Sequence, residues 1–294
     1  MTGLPRSLQF DKLGIVKFDD TLSPEGVDAQ TMHRRAVSVA GRLLGGSGRA
    51  ELFAFRAQPQ HSIPVLAHGL LSDGTFVVAA SIANDGVGAG EQSFDVRLDV
   101  EKDAPEATLR IRAATMHALG RLTWVDGEFS SGPTMAGQLP ELVAGLAGMP
   151  GVRIGTVDFP KVLLHDCAGI IPLTWTEIGT AGKTEPFPQF GEELSAAEAV
   201  ASMAVAEWVE VIEAVLTGRL PGEELTRVHL PTGCAQTLGT LRCVDVDATG
   251  VTVMHFTAMD ATTVFVPFAA PVADVDGVRA GLEALLASSL APVF

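Results

Sequence analysis

The sequence predicts an α+β fold: a barrel built of strands, then a smaller α/β unit. Three observations carry this. Between Glu51 and Val125, strand patterns succeed one another with turns and no long helix between them. Further on, Ser195-Ala196-Ala197-Glu198 is a capping box that opens a helix after a linker rich in Pro and Gly. Finally, residues 241–290 read strand, tight turn, strand, strand, Pro-Phe, helix.

Residues 1–30 are mixed and polar and are expected to form an arm. From Met32 to Leu44 apolar residues recur at helical spacing, and Gly45-Gly46 stops them. Strands are expected at Glu51–Ala57, Ile63–Leu71 and Phe76–Ile82. Between the last two, Ser72-Asp73-Gly74-Thr75 makes a hairpin turn, since Asp-Gly tolerates positive φ. The Gly-rich stretch 83–93 reads as a loop. Phe94–Val100 alternates apolar and charged residues, the mark of a half-buried strand, and Ala107–Val125 is a longer strand in which Gly120 permits a bend or bulge. Consecutive antiparallel strands of this kind close into a barrel.

After a short helix near residues 140–148, residues 153–166 and 169–179 are expected as two more strands. The helix opened at Ser195 carries an apolar stripe, Val205, Trp208, Val209, Ile212, Val215 and Leu216, and ends at Gly218. Asp274 caps a last helix running to about Ser289. The expected domains are an arm (1–30), a barrel (31–190) and a C-terminal unit (191–294).

Bulk properties narrow the function. With 294 residues and 47% hydrophobic content, the chain can bury a sizeable core. Its 20 basic and 35 acidic residues leave a net charge of −15, which repels phosphate backbones and anionic lipid, so neither nucleic-acid nor membrane partners are expected. Three cysteines, Cys167, Cys234 and Cys243, without a CxxC pair, point to reduced thiols in a cytoplasmic protein rather than a disulfide framework or a zinc site. The N-terminus has no signal-peptide pattern and no apolar run reaches membrane-spanning length. Tyrosine is absent, which removes one common proton donor.

Within residues 241–290, the elements Asp245, Asp247, Gly250, Pro267, Phe268, Asp274 and Arg279 resemble the C-terminal domain of the haem-utilisation split-barrel proteins. The strand-rich first region, with Phe94–Val125 and its Asp103-Ala104-Pro105, is similar to an actinobacterial branch of the pyridoxamine-phosphate-oxidase, or flavin-binding split-barrel, superfamily. The resemblance covers most of the chain after residue 30. It implies an FMN-binding-type split β-barrel followed by a smaller α/β domain, a homodimer with the cofactor between subunits, and haem or flavin mononucleotide as cofactor.

The chain also departs from that pattern. Where the family has His-Met-Asn-x-Asp-His, residues 202–207 read SMAVAE, and no histidine lies near the C-terminus. The polar stretch of the flavin-binding members is replaced by Gly-rich sequence. Three functions therefore stand: a haem-binding or haem-handling protein; a cofactor-free binding or regulatory protein on the same fold; and an FMN-dependent oxidoreductase. No catalytic residue is nominated.

Of seven histidines (His33, His61, His68, His117, His165, His229 and His255), His165 and His255 sit on apolar strands, where an imidazole can meet haem iron. A hydrogen-bonded core histidine is the plainer alternative for each. Arg110 and Arg112, two apart, share one strand face and suit an anionic group; pairing with Asp95 or Asp99 on an exposed face is the plainer alternative. His33-Arg34-Arg35 suits propionates or phosphate, or simply a solvated helix start. His165-Asp166-Cys167 is not a Cys-His dyad, because adjacent strand residues face opposite ways. Gly86, Gly88 and Gly90 form no complete dinucleotide fingerprint. Glu207, Glu210 and Glu213 form an acidic helix ridge, read as solvated rather than as a metal site.

Overall fold

The computed structural model describes residues 27–56, 61–81, 92–106, 108–125, 139–181, 187–230 and 237–291. The arm up to residue 26, nearly all of the Gly-rich loop and Cys234 lie outside them.

Eight strands form the first sheet: β1 (Arg49–Ala54), β2 (His61–Leu70), β3 (Phe76–Ser81), β4 (Ser93–Asp103), β5 (Arg112–Trp124), β6 (Val152–Asp158), β7 (Lys161–Asp166) and β8 (Gly169–Thr174). Their order is β4-β1-β2-β3-β6-β5-β7-β8, and β4 also pairs with β5. That extra pairing closes a six-stranded antiparallel barrel. The alternation of these strands turns Leu52, Ile63, Phe76, Leu98, Val100, Met116, Leu122 and Trp124 into its core. At the β2–β3 turn, Gly74 adopts φ +89° and Asp73 accepts a hydrogen bond from the Thr75 amide.

The sheet forks at Gly120. The end of β5 (Arg121–Trp124) pairs with β6, while Ala114–Ala118 pairs with β7. A Cβ at residue 120 would collide with the Asp158 carbonyl oxygen, where β6 leaves for β7. The expected bend is thus a branch point, and only glycine lets the crossover pass.

The first helix, α1 (Ala29–Leu44), starts earlier than expected because Asp28 caps it through the Thr31 amide. Its Ala36, Val39, Ala40, Leu43 and Leu44 pack into the barrel core. The strand expected over Ala107–Val125 begins only at Arg112, since Ala104 donates its amide to Ile111 across a turn. The two strands expected over 153–179 are three, followed by a helix, α3 (Trp175–Ala181); the short helix α2 spans Glu141–Leu146.

The single helix expected from Ser195 to Leu216 is two, α4 (Glu193–Ala201) and α5 (Val205–Leu216). Ser202 turns its hydroxyl onto the Ala199 carbonyl, and Glu207 folds back to accept the Ala204 amide. These contacts end one helix and begin the next.

The second sheet runs β10 (Leu241–Asp247), β11 (Gly250–Phe256), β12 (Asp260–Pro267), β9 (Glu223–His229), all antiparallel. β9 is not foreseen: it is an exposed edge strand, Glu-Glu-Leu-Thr-Arg-Val-His, with too little apolar alternation to signal itself. Val251, Val253, Val264 and Val266 pack under α4, α5 and α6 (Val275–Ser289), against Trp208, Ile212 and Leu282.

The other face of this sheet meets the barrel. A register shift between Cys243 and Asp245 lets Val244 and Asp245 both face the barrel side. Val244 and Met254 then pack with Ala104, Leu109, Ile111 and Ala113.

Candidate functional site

Two groups of polar side chains stand out, one on the outer wall of the barrel and one between barrel and C-terminal sheet.

On the outer wall, inward Val100, Met116 and Leu164 force Asp99, His117 and His165 outward. Register places Asp99 opposite His117 and Thr115 opposite His165. The Asp99 carboxylate lies 2.7 Å from His117 Nδ1. A carboxylate only accepts, so the hydrogen of this bond sits on Nδ1, which leaves Nε2 as the nitrogen that faces away from Asp99. The rings of His117 and His165 meet edge to face, with centroids 5.1 Å apart. Both are half-buried, and Leu119 (62% exposed), Leu163 and Ile170 (66% exposed) flank them.

Arg112 joins the same wall, with Nη1 3.4 Å from Thr115 Oγ1. Its charge is already met: it binds Asp103 at 2.7 Å and Glu101 at 2.8 Å. The hydrogen bond to Glu101 raises the Arg112 pKa. Arg110, just before β5, also binds Asp103, at 2.8 Å. The two arginines converge on Asp103, not on Asp95 or Asp99. Burial would raise the Asp103 pKa, but the two guanidiniums outweigh it and hold the carboxyl below its usual range.

His255 lies elsewhere, on β11 of the second sheet, opposite Leu241 and Thr262. Partial burial lowers its pKa, favouring the neutral ring. His165 and His255 therefore belong to different sheets.

The second group lies inside the protein. Arg35 and Arg42, seven apart on α1, point to the same side. Arg35 donates to Asp166 at 2.7 Å and to Thr252 at 3.4 Å, and its guanidinium lies 5.4 Å from the Phe265 ring centre. Arg42 grips both oxygens of Asp245, at 2.9 and 2.5 Å. Lys102 reaches Glu193 at 2.6 Å and Asp245 at 3.5 Å. Burial would raise the Asp245 pKa; Arg42 and Lys102 overcome that and hold it far below the carboxylate range.

Arg35 is thus no part of a solvated helix start; it is 2% exposed. His33 does stay outside, 3.6 Å from Glu177. Sequence alone gives no hint of the Arg35–Asp166 and Arg42–Asp245 pairs, because their partners lie 131 and 203 residues away.

His165, Asp166 and Cys167 separate as strand geometry demands. His165 faces out, Asp166 holds Arg35, and the Cys167 thiol sits 3.5 Å from Arg35 Nη2. Burial pushes that thiol up to about 11. Among the described residues no group of three or more His, Cys, Asp or Glu converges on a metal-sized point, and no helix is long and apolar enough to cross a membrane.

The fold and the outer-wall geometry define an α+β split-barrel protein with a smaller α/β unit after the barrel. Among solved structures, the chain is similar to a haem-binding protein from Mycobacterium smegmatis, with a TM-score of 0.50 and 13% identity over 86% of this chain and 97% of that one. A protein of unknown function from Agrobacterium tumefaciens matches at a TM-score of 0.35 and 16% identity, over 91% of this chain and all of that one. At such identities the likeness is one of fold, and the second match carries no argument. No protein-family model and no curated protein matches the chain.

Proposed function

We propose that this is a haem-binding, haem-handling protein whose ligand lies against the outer barrel wall. One observation carries the reading: a half-buried imidazole pair, His117 and His165, ringed by exposed Leu119, Leu163 and Ile170, with Arg112 on the same wall. A flat, apolar, anionic ligand with an iron centre needs these features together: an imidazole for the metal, apolar surface for the macrocycle and a cation for its carboxylates. The structural likeness to a haem-binding protein supports it.

In this reading His165 is the iron ligand and Asp99-oriented His117 stands beside it. Arg112, with Arg110 behind it, meets the carboxylates after loosening from Asp103. His255 remains a second, separate imidazole candidate on the C-terminal sheet. A second copy of the chain closing over Leu119, Leu163 and Ile170 would bury the ligand between subunits, as a cytoplasmic homodimer.

The test is a haemin titration followed at the Soret band. A saturable red shift in the wild type that weakens at least tenfold in His165→Ala supports the reading. Equal titration curves for wild type, His165→Ala and His255→Ala would remove both imidazole assignments.

The pairing of both arginines with Asp103 favours a second reading, a cofactor-free binding or regulatory protein on the same fold. No Soret change with haemin and no fluorescence quenching with flavin mononucleotide would favour it. Flavin quenching alone would move the protein to the oxidoreductases.

A further inference from the structure

We propose that the His117–His165 pair is also a chelating site for a single bare divalent transition-metal ion of the imidazole-preferring kind, Cu²⁺, Ni²⁺ or Zn²⁺. All seven histidines are among the described residues, and only these two bring their rings into contact, at 5.1 Å between centroids. That spacing puts a nitrogen donor from each ring within reach of one ion, from adjacent strands β5 and β7 whose backbones are locked by the ladder His117↔Leu163 and Thr115↔His165.

The surroundings are those of a metal ligand rather than of a core histidine. Asp99 holds His117 Nδ1 at 2.7 Å, the carboxylate–histidine arrangement that sets the tautomer and directs Nε2 to an ion. By contrast, His68 donates its Nε2 hydrogen to the Leu43 carbonyl, at 2.8 Å, and is buried in the core away from solvent. His117 and His165 are open to solvent on one side, so water completes the coordination shell. Among the described residues no third His, Cys, Asp or Glu converges with them on a metal-sized point. An ion here is exchangeable rather than structural, and the net charge of −15 favours its approach. Binding forms two dative nitrogen–metal bonds to neutral rings, displaces water from the ion and changes no oxidation state.

The inference does not depend on the haem reading, although both use His165. The experiment is a Cu²⁺ titration of untagged, haem-free protein, followed by electron paramagnetic resonance and calorimetry, with Zn²⁺ as competitor. The expected result is one ion per chain, two nitrogen donors in the spectrum and displacement by Zn²⁺. His117→Ala and His165→Ala should each weaken binding at least tenfold, and Asp99→Asn by about tenfold. Circular dichroism checks that each variant folds; because all three side chains face outward, the barrel core is left intact. Unchanged affinity in either folded alanine variant, or a single-nitrogen spectrum in the wild type, overturns the proposal. A protein that takes the ion and ignores haemin keeps this site and loses the haem reading; the reverse result discards this site alone.

Discussion

Arg35 on the first helix and Asp166 at the end of β7 form an ion pair of 2.7 Å, with side chains only 3% and 0% exposed. The pair ties α1 to the barrel at the residue next to His165. Through Thr252, the same guanidinium reaches the C-terminal sheet. One side chain thus joins three parts of the molecule.

Removing one partner leaves a buried, uncompensated charge. Asp166→Ala should therefore lose about 3–5 kcal/mol in urea unfolding. Replacing both residues by apolar ones, Arg35→Met with Asp166→Leu, should recover most of that loss. A double variant no more stable than Asp166→Ala would show that the pair's hydrogen bonds to Thr252 and Cys167 matter more than its charge.

Asp245 sets a pH dependence at the acid end. Its folded pKa lies below the unfolded value of about 3.9, so its stabilisation is fully present above about pH 4. It is lost as pH falls through the folded value. Unfolding free energy measured from pH 6 downward should show a steep fall beginning near pH 4, and Asp245→Asn should flatten it. An unchanged slope in the variant would assign the acid transition to other carboxylates.

His68 acts at higher pH. Burial lowers its pKa, opposed only by the bond to the Leu43 carbonyl. The unfolded chain therefore binds the proton more tightly, and stability declines as pH drops below about 6.5 until the folded value is reached. His68→Gln should remove this decline between pH 6.5 and 5, as read by thermal melts in matched buffers.

Gly120 and Gly74 test two different uses of glycine. At Gly120 a side chain meets the Asp158 carbonyl and Phe159, so Gly120→Val should cost more than about 2 kcal/mol or prevent folding. At Gly74 there is open space but φ is +89°, and Gly74→Ala should cost about 1 kcal/mol. Equal melting temperatures for the two variants would contradict the fork in the sheet.

The thiols offer a direct probe of packing. With its pKa near 11, Cys167 holds almost no thiolate at pH 8, and burial pushes Cys243 higher still. Both should resist alkylation in the native protein and react fully in denaturant, as followed by peptide mass spectrometry. Fast native labelling of Cys167 would show that the β7–β8 turn opens.

The local patterns of the sequence determined most strands of the barrel, the first and last helices and the Asp73-Gly74 turn. Each depends on neighbours within a few positions, so local spacing records it. The break at Ser202 is not legible in the spacing of apolar residues, because the signals that split the helix are single hydrogen bonds to backbone groups. The edge strand at Glu223 was missed because an exposed edge needs no apolar face. Sequence nominated His165, His255, Arg110 and Arg112, but not His117 or Asp99, whose place beside His165 comes from strand register: β4 aligns Asp99 with His117, and β7 brings His165 against it. Only the tertiary structure decided which charges are buried, since nothing in the local sequence around Arg35 and Arg42 shows that the second sheet folds over them. Charge pairing at such separations depends on where the chain returns, and no local pattern encodes that.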